Sequence, residues 1–196
     1  MLLPRRLPPS NPEVPLAAPR SRPTFEEIYD AHVEQLWRNA RRLGVQDDAI
    51  DDVLQQVFLV VHRRFDQVTM TASDRAWLLG VLVHVVRDHK RSLRRKSPHR
   101  FIAATDPATL PDERGRQPDE SLARAEAAAL VQRWLEALDD DKREVFVLAE
   151  LEQLSAREIA EATGTNPSTV YSRLRAARIE LEAAAARYRK SEGRRL

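Results

Sequence analysis

Between Asn166 and Arg178 the chain sets small hydrogen-bonding side chains and cations at helical spacing. Val170, Leu174, Ala177 and Leu181 form an apolar stripe there. Ser168, Thr169, Tyr171, Ser172, Arg173, Arg175 and Arg178 are left on the other faces. Hydroxyls and guanidiniums along one helix suit base edges and phosphates in a DNA groove. A second cationic set, Arg87, Lys90, Arg91, Arg94 and Arg95, suits phosphate clamping. A third set is acidic: Asp47, Asp48, Asp51 and Asp52. Carboxylates at that spacing could hold Mg²⁺ for phosphate hydrolysis. The plainer reading is a solvated helix start favoured by the helix dipole, since no second ligand set accompanies them. His32, His62, His84, His89 and His99 are scattered, with neither metal nor triad spacing, and read as structural or surface residues. No catalytic group, metal site or cofactor is called for.

These side chains need helices to position them. Ser155 is an N-cap and Glu158 closes a capping box, with Leu154 and Ile159 placed as a hydrophobic staple. Ala156 to Ala162 then forms a short helix, and Gly164 ends it in the left-handed conformation. Asn166 and Pro167 start the next helix as N-cap and first helical residue. The pair reads as a helix-turn-helix; an ordinary αα-hairpin with a solvated basic face is the bland alternative. Upstream, Thr24 with Glu27 opens a first helix whose apolar face includes Phe25, Ile28, Tyr29, Val33, Leu36, Ala40 and Leu43. A second helix runs from about Asp47 to Phe65 on Ile50, Val53, Leu54, Val57, Phe58, Val61 and Phe65. A third spans about Asp74 to Lys96, with Trp77, Leu78, Val81, Leu82, Val85 and Val86 as its apolar face and a cationic far end. Trp77 could stack on a base, but its place in the stripe reads as core. Two further helices precede the helix-turn-helix, and the last helix is expected to reach about Arg187. No strand and no repeat is evident, so the expected class is all-α.

The formal net charge of +2 hides segregation. Residues 84–100 carry seven Lys/Arg against one Asp, and residues 168–196 carry eight against three Glu. Two separate basic stripes suggest two contacts with one polyanion. Charged residues make up 32% of the chain, which has no cysteine, and the mean hydropathy is −0.51. That argues against a disulfide framework and fits a reducing cytosol. No apolar run approaches membrane-spanning length, so a cytoplasmic location without membrane insertion is expected. Residues 1–23 hold seven of the twelve prolines and read as a disordered tail. Residues 97–118 read as a flexible linker between a domain at 24–96 and another at 119–187, with a fraying tail at 188–196.

The layout resembles the RNA polymerase sigma factors of the extracytoplasmic-function group, over residues 24 to about 186. Asp52-Val53-Leu54-Gln55-Gln56-Val57-Phe58-Leu59 is similar to the core-polymerase-binding stretch of the family's region 2. Asp74-Arg75-Ala76-Trp77-Leu78, with Asp88 and the basic run to Lys96, is similar to the promoter-melting and −10 part of that region. Leu154 to Arg178 is similar to region 4, which reads the −35 element. The order of the three and the Pro-rich linker strengthen the resemblance.

The resemblance implies a two-domain initiation factor without catalysis of its own. Its partners would be core RNA polymerase, promoter DNA and an anti-sigma factor, and the free chain would be a monomer that binds duplex DNA weakly. Asp52, Gln55, Gln56 and Leu59 would meet the polymerase. His84, Arg87, Lys90, Arg91, Arg94 and Arg95 would serve the −10 element, with Val68, Thr69, Met70, Thr71 and Ser73 near a flipped base. His84 stands where the family often has Asn, Gln56 where it often has Glu, and Tyr171 where it often has Lys. Ser168, Thr169, Tyr171, Ser172, Arg173, Arg175 and Arg178 would meet the −35 element. The alternative is a stand-alone helix-turn-helix regulator that binds DNA as a dimer.

Overall fold

The computed structural model describes residues 23–65, 74–96 and 118–192. Every regular element among them is helical, as expected of an all-α chain. The linker residues 97–117, the tail 1–22 and the expected base-pocket residues Val68, Thr69, Met70, Thr71 and Ser73 lie outside the described residues.

Helix α1 (Phe25–Arg42) begins on the Thr24/Glu27 capping box, in which each side chain accepts from the other's backbone N–H at 3.2 and 2.8 Å. Gly44 turns the chain at φ 88°, where glycine costs no Cβ clash. Helix α2 (Asp47–Arg64) buries Ile50, Val53, Leu54, Val57, Phe58 and Val61 of the i, i+3, i+4 stripe read from sequence, while Phe65, expected on the same stripe, caps the helix and is half-buried. Tyr29 departs from expectation: it is 42% exposed and leans against Phe58 with ring centroids 4.6 Å apart. Helix α3 (Asp74–Lys96) packs on both α1 and α2.

The C-terminal cluster holds α4 (Pro118–Glu136), α5 (Asp140–Phe146), α6 (Ala156–Thr163) and α7 (Pro167–Glu192). Asp139 caps α5 by accepting from the Lys142 N–H at 2.9 Å. Past Phe146 the helix widens into a π-helical turn, Val147–Leu151, which delivers Glu152 and then Gln153 at φ 55°. The Ser155/Glu158 capping box opens α6, and Gly164 closes it at φ 66°, ψ 31°. Asn166 Oδ1 accepts from the Ser168 N–H at 2.8 Å and starts α7. Helix α7 runs to Glu192, past the end expected near Arg187; residues 193–196 of the expected fraying tail lie outside the described residues.

The two clusters are not separate in space. Helix α6 lies across α3, and one apolar core runs from Ile28 through Leu82 to Ile159 and Ala177. At the crossing, a Cβ on Gly80 would sit 3.1 Å from the Cα, Cβ and carbonyl oxygen of Ala162. Gly80 lets the helices approach, at a cost in helix propensity of about 1 kcal/mol.

A Cβ at Gly164 would meet nothing within 4 Å, so only its backbone conformation demands glycine. Gly164→Ala should therefore destabilise the chain by about 1–2 kcal/mol, read as a lower denaturation midpoint.

Candidate nucleic-acid interface

The local signals of the helix-turn-helix fix how α7 is presented. With α6 stopped at Gly164 and α7 capped by Asn166, Val170 and Ala177 point inward and are fully buried. Ser168, Tyr171, Ser172, Arg175 and Arg178 are exposed, and Thr169 and Arg173 are half-buried. Tyr171, at 65% exposure, does not pack into the core. Arg173 pairs with Asp141, and Arg178 donates to Glu150 from Nε at 2.9 Å. Arg175 makes no ion pair among the described residues. Ser172 Oγ donates to the Thr169 carbonyl at 2.9 Å, which leaves its lone pairs outward. The first turns of the helix thus offer a polar face on which Arg175 stands without an ion pair among the described residues, while Arg173 and Arg178 are held by carboxylates.

On α2, the residues excluded from the core stripe form a second stripe. Asp52, Gln55, Gln56 and Leu59 recur at i, i+3, i+4 and i+7, and all four are exposed, Leu59 at 42%. Amides and a carboxylate around a bare leucine suit a protein partner. The acidic start of α2 is solvent-facing, with Asp47 3.2 Å from Arg41. Among the described residues no three His, Cys, Asp or Glu side chains converge as a metal site.

The cations of α3 are placed differently from a free phosphate clamp. His84, Arg91 and Arg95 are exposed. Arg87, however, grips Glu144 with Nε at 2.9 Å and Nη2 at 2.6 Å, and its Nη1 donates to the Thr163 carbonyl at 2.9 Å. Lys90 donates to the Leu43 carbonyl at 2.6 Å and also pairs with Asp140. Arg94 donates to the other oxygen of Asp140 at 2.6 Å. Burial pulls the Lys90 ammonium below its ordinary value, with Asp140 opposing. Burial likewise pushes the Glu144 carboxyl up against the pull of Arg87.

Glu152 reaches the same cluster from its other edge. It accepts from Asn39 Nδ2 at 2.9 Å and from Arg75 and Gln35, with Arg42 at 3.5 Å. Glu152 and Asn39 are both buried. Burial would raise this carboxyl, yet its donors hold it below the usual carboxylate range. Sequence reasoning did not single out Glu144, Glu152, Asn39 or Gly80. Gly80 was the available signal, because a glycine inside an apolar helix marks a close approach.

Residues 28–96 match the family model for Sigma-70 region 2, and residues 128–181 match that for Sigma-70, region 4. The chain is 30% identical over 161 residues to the RNA polymerase sigma factor NccH of Alcaligenes xylosoxydans xylosoxydans, spanning 81% of this chain and 85% of that one. It is 31% identical over 160 residues to the ECF RNA polymerase sigma factor SigL of Mycobacterium tuberculosis, spanning 79% and 87%. Among solved structures, CnrH in complex with the cytosolic domain of CnrY superposes with a TM-score of 0.58 at 27% identity, over 83% of this chain and 87% of that one. The sigma factor RpoE in complex with the anti-sigma factor NepR from Bartonella quintana shares the fold at a TM-score of 0.64 and 21% identity, over 81% and 94%. The helix pair α6–α7 thus lies within the region 4 match through residue 181, and the exposed stripe of α2 lies within the region 2 match. The chain is an extracytoplasmic-function RNA polymerase sigma factor, which directs the polymerase to promoter DNA and is not itself an enzyme.

Proposed function

We propose that α7 reads the −35 element, the cationic end of α3 serves the −10 element, and the exposed stripe of α2 docks on core RNA polymerase. The presentation of α7 carries this reading: its two most buried residues, Val170 and Ala177, aim Ser168, Tyr171, Ser172 and Arg175 outward. Early residues of a recognition helix meet base edges, and later cations meet the backbone. Ser168, Thr169, Ser172 and Arg173 accordingly face bases, and Arg175 and Arg178 face bases or phosphates. Tyr171 contacts a thymine methyl or a phosphate. His84, Arg87, Lys90, Arg91, Arg94 and Arg95 hold the −10 strand, and residues Val68, Thr69, Met70, Thr71 and Ser73 accept a flipped base. Asp52, Gln55, Gln56 and Leu59 meet a helical element of the polymerase. The protein works as a monomer in the cytoplasm; no described helix is long and apolar enough to cross a membrane. An anti-sigma factor is a further partner, as NepR is for RpoE.

Transcription with purified core polymerase on candidate promoters tests the reading. Start sites should appear only when both proteins are present. Tight, sequence-specific DNA binding by the isolated chain would instead favour the dimeric regulator.

The stripe on α2 is tested by Gln55→Ala with Leu59→Ala. Both side chains are exposed, so holoenzyme assembly should weaken while the melting curve stays put. Arg173→Ala should cost about 1–3 kcal/mol at a single −35 position if the guanidinium is bidentate to guanine. A uniform loss across all −35 sequences would reassign it to a phosphate.

A further inference from the structure

We infer that this chain closes on itself, with carboxylates of its own region 4 standing in for promoter phosphates on the −10 cations. The inference rests on the assignment of those cations to DNA made above. Asp140 and Glu144 project from α5 and take Arg87, Lys90 and Arg94, all on α3. The pairing of Arg87 with Glu144 is bidentate, the geometry a guanidinium also adopts on a phosphate. The contact is not a chance meeting of surface charges. Glu144 is 5% exposed, and Lys90 shares its ammonium with a carbonyl of the α1–α2 turn. On the far edge Glu152 is pinned into α1 and α3 by Asn39 and Arg75. Between these two ionic clasps α6 lies on Gly80, where even a Cβ would press on Ala162 at 3.1 Å.

In this closed form three −10 cations are occupied by carboxylates. A strand of DNA must displace Asp140 and Glu144 to reach them. The apparent affinity of the free chain is then reduced by the fraction of molecules that are open. This gives a physical cause for weak DNA binding by the free chain, beyond the modest size of each contact.

The test measures the distance between the clusters and DNA binding on the full chain. The sequence has no cysteine, so Asp30→Cys and Glu182→Cys give two exposed spin-label sites, one in each cluster. The unmodified closed chain should give one narrow distance. Gly80→Leu adds no charge and wedges α3 from α6; Asp140→Asn with Glu144→Gln releases the cations without a wedge. Both should broaden and lengthen the distance. Both should also bind a mixed-sequence single-stranded oligonucleotide about tenfold more tightly, the gain expected if roughly a tenth of the chain is open at rest. Glu26→Gln, a neutralisation at the exposed start of α1 and away from the clasp, should leave the distance unchanged. Adding Arg87→Ala to Gly80→Leu should remove much of the gain in DNA binding. Identical distances in all the chains would overturn the inference. Opening without tighter DNA binding would overturn it as well. If Gly80→Leu fails to fold, the Asp140→Asn, Glu144→Gln chain decides alone. The distance arm uses neither DNA nor polymerase, so a failure of the promoter assignment and a failure of the clasp are separately visible.

Discussion

From Ala76 to Val86, helix α3 carries a single polar side chain, His84. A helix apolar on nearly every side has to be covered on more than one. Helices α1 and α2 cover one side, and α6 covers another. Ala76, Gly80, Val83 and Arg87 fall on one stripe at helical spacing, and it is this stripe that meets the C-terminal cluster. Val83, on that stripe, is 1% exposed. Returning one such side chain to water costs about 1.5–3 kcal/mol. The two clusters are therefore coupled through the burial needs of one helix, and their apolar residues form one continuous core. The closeness of that crossing depends in turn on Gly80 having no side chain.

Apolar contact of this kind gives attraction but little register. The buried carboxylates supply the register. A buried ion pair adds little net stability over a well-packed apolar pair, because desolvation offsets the attraction. Leaving one partner unpaired is costly, at about 3–5 kcal/mol. Glu144 and Glu152 thus penalise every docking of α5 and α6 that fails to bring them to Arg87 and to Asn39 with Arg75. Their opposite shifts fit this view. Glu152 is well supplied with donors and stays below the usual carboxylate range, whereas for Glu144 burial outweighs its single guanidinium partner. Glu144 rests on Arg87 where Glu152 draws on Asn39, Gln35, Arg42 and Arg75, and it is Glu144 that sits on the cations proposed above for the −10 element.

What could be read from the sequence was local. The capping boxes at Thr24/Glu27 and Ser155/Glu158, the left-handed Gly164 and the Asn166-Pro167 start each act within a few residues, and each is present. The core stripe of α2, and with it the exposed stripe of Asp52, Gln55, Gln56 and Leu59, followed from period alone. The clasps were not legible, since Arg87 and Glu144 are 57 residues apart and Asn39 and Glu152 are 113 apart. Nothing in helical period tells a charged residue which distant helix it will meet. Leu79 and Val83 were outside the expected face of α3 because a single stripe was assumed, although the run of apolar residues around them exceeds one stripe. Tyr29 fell on the apolar face of α1 by spacing, yet the edge of a helical bundle leaves such a residue half in water.

The closed arrangement also constrains how it can be opened. The stripe on α2 is exposed while α3 and α6 are engaged, so the polymerase docking proposed for it would not require the clusters to part first. A contact made equally well in both states shifts no equilibrium, however tight it is. Docking on α2 alone would therefore recruit the chain and leave it closed. The energy for opening has to come from contacts that exist only when the clusters are apart. Phosphates competing with Asp140 and Glu144 for Arg87, Lys90 and Arg94 are such contacts, and so is any surface that holds α7 at −35 spacing from α3. Linking two modest sites raises their combined affinity only when both can be engaged at once. In this chain the same carboxylates that keep the sites from engaging separately would make the polymerase, which holds both at promoter spacing, a condition of strong binding.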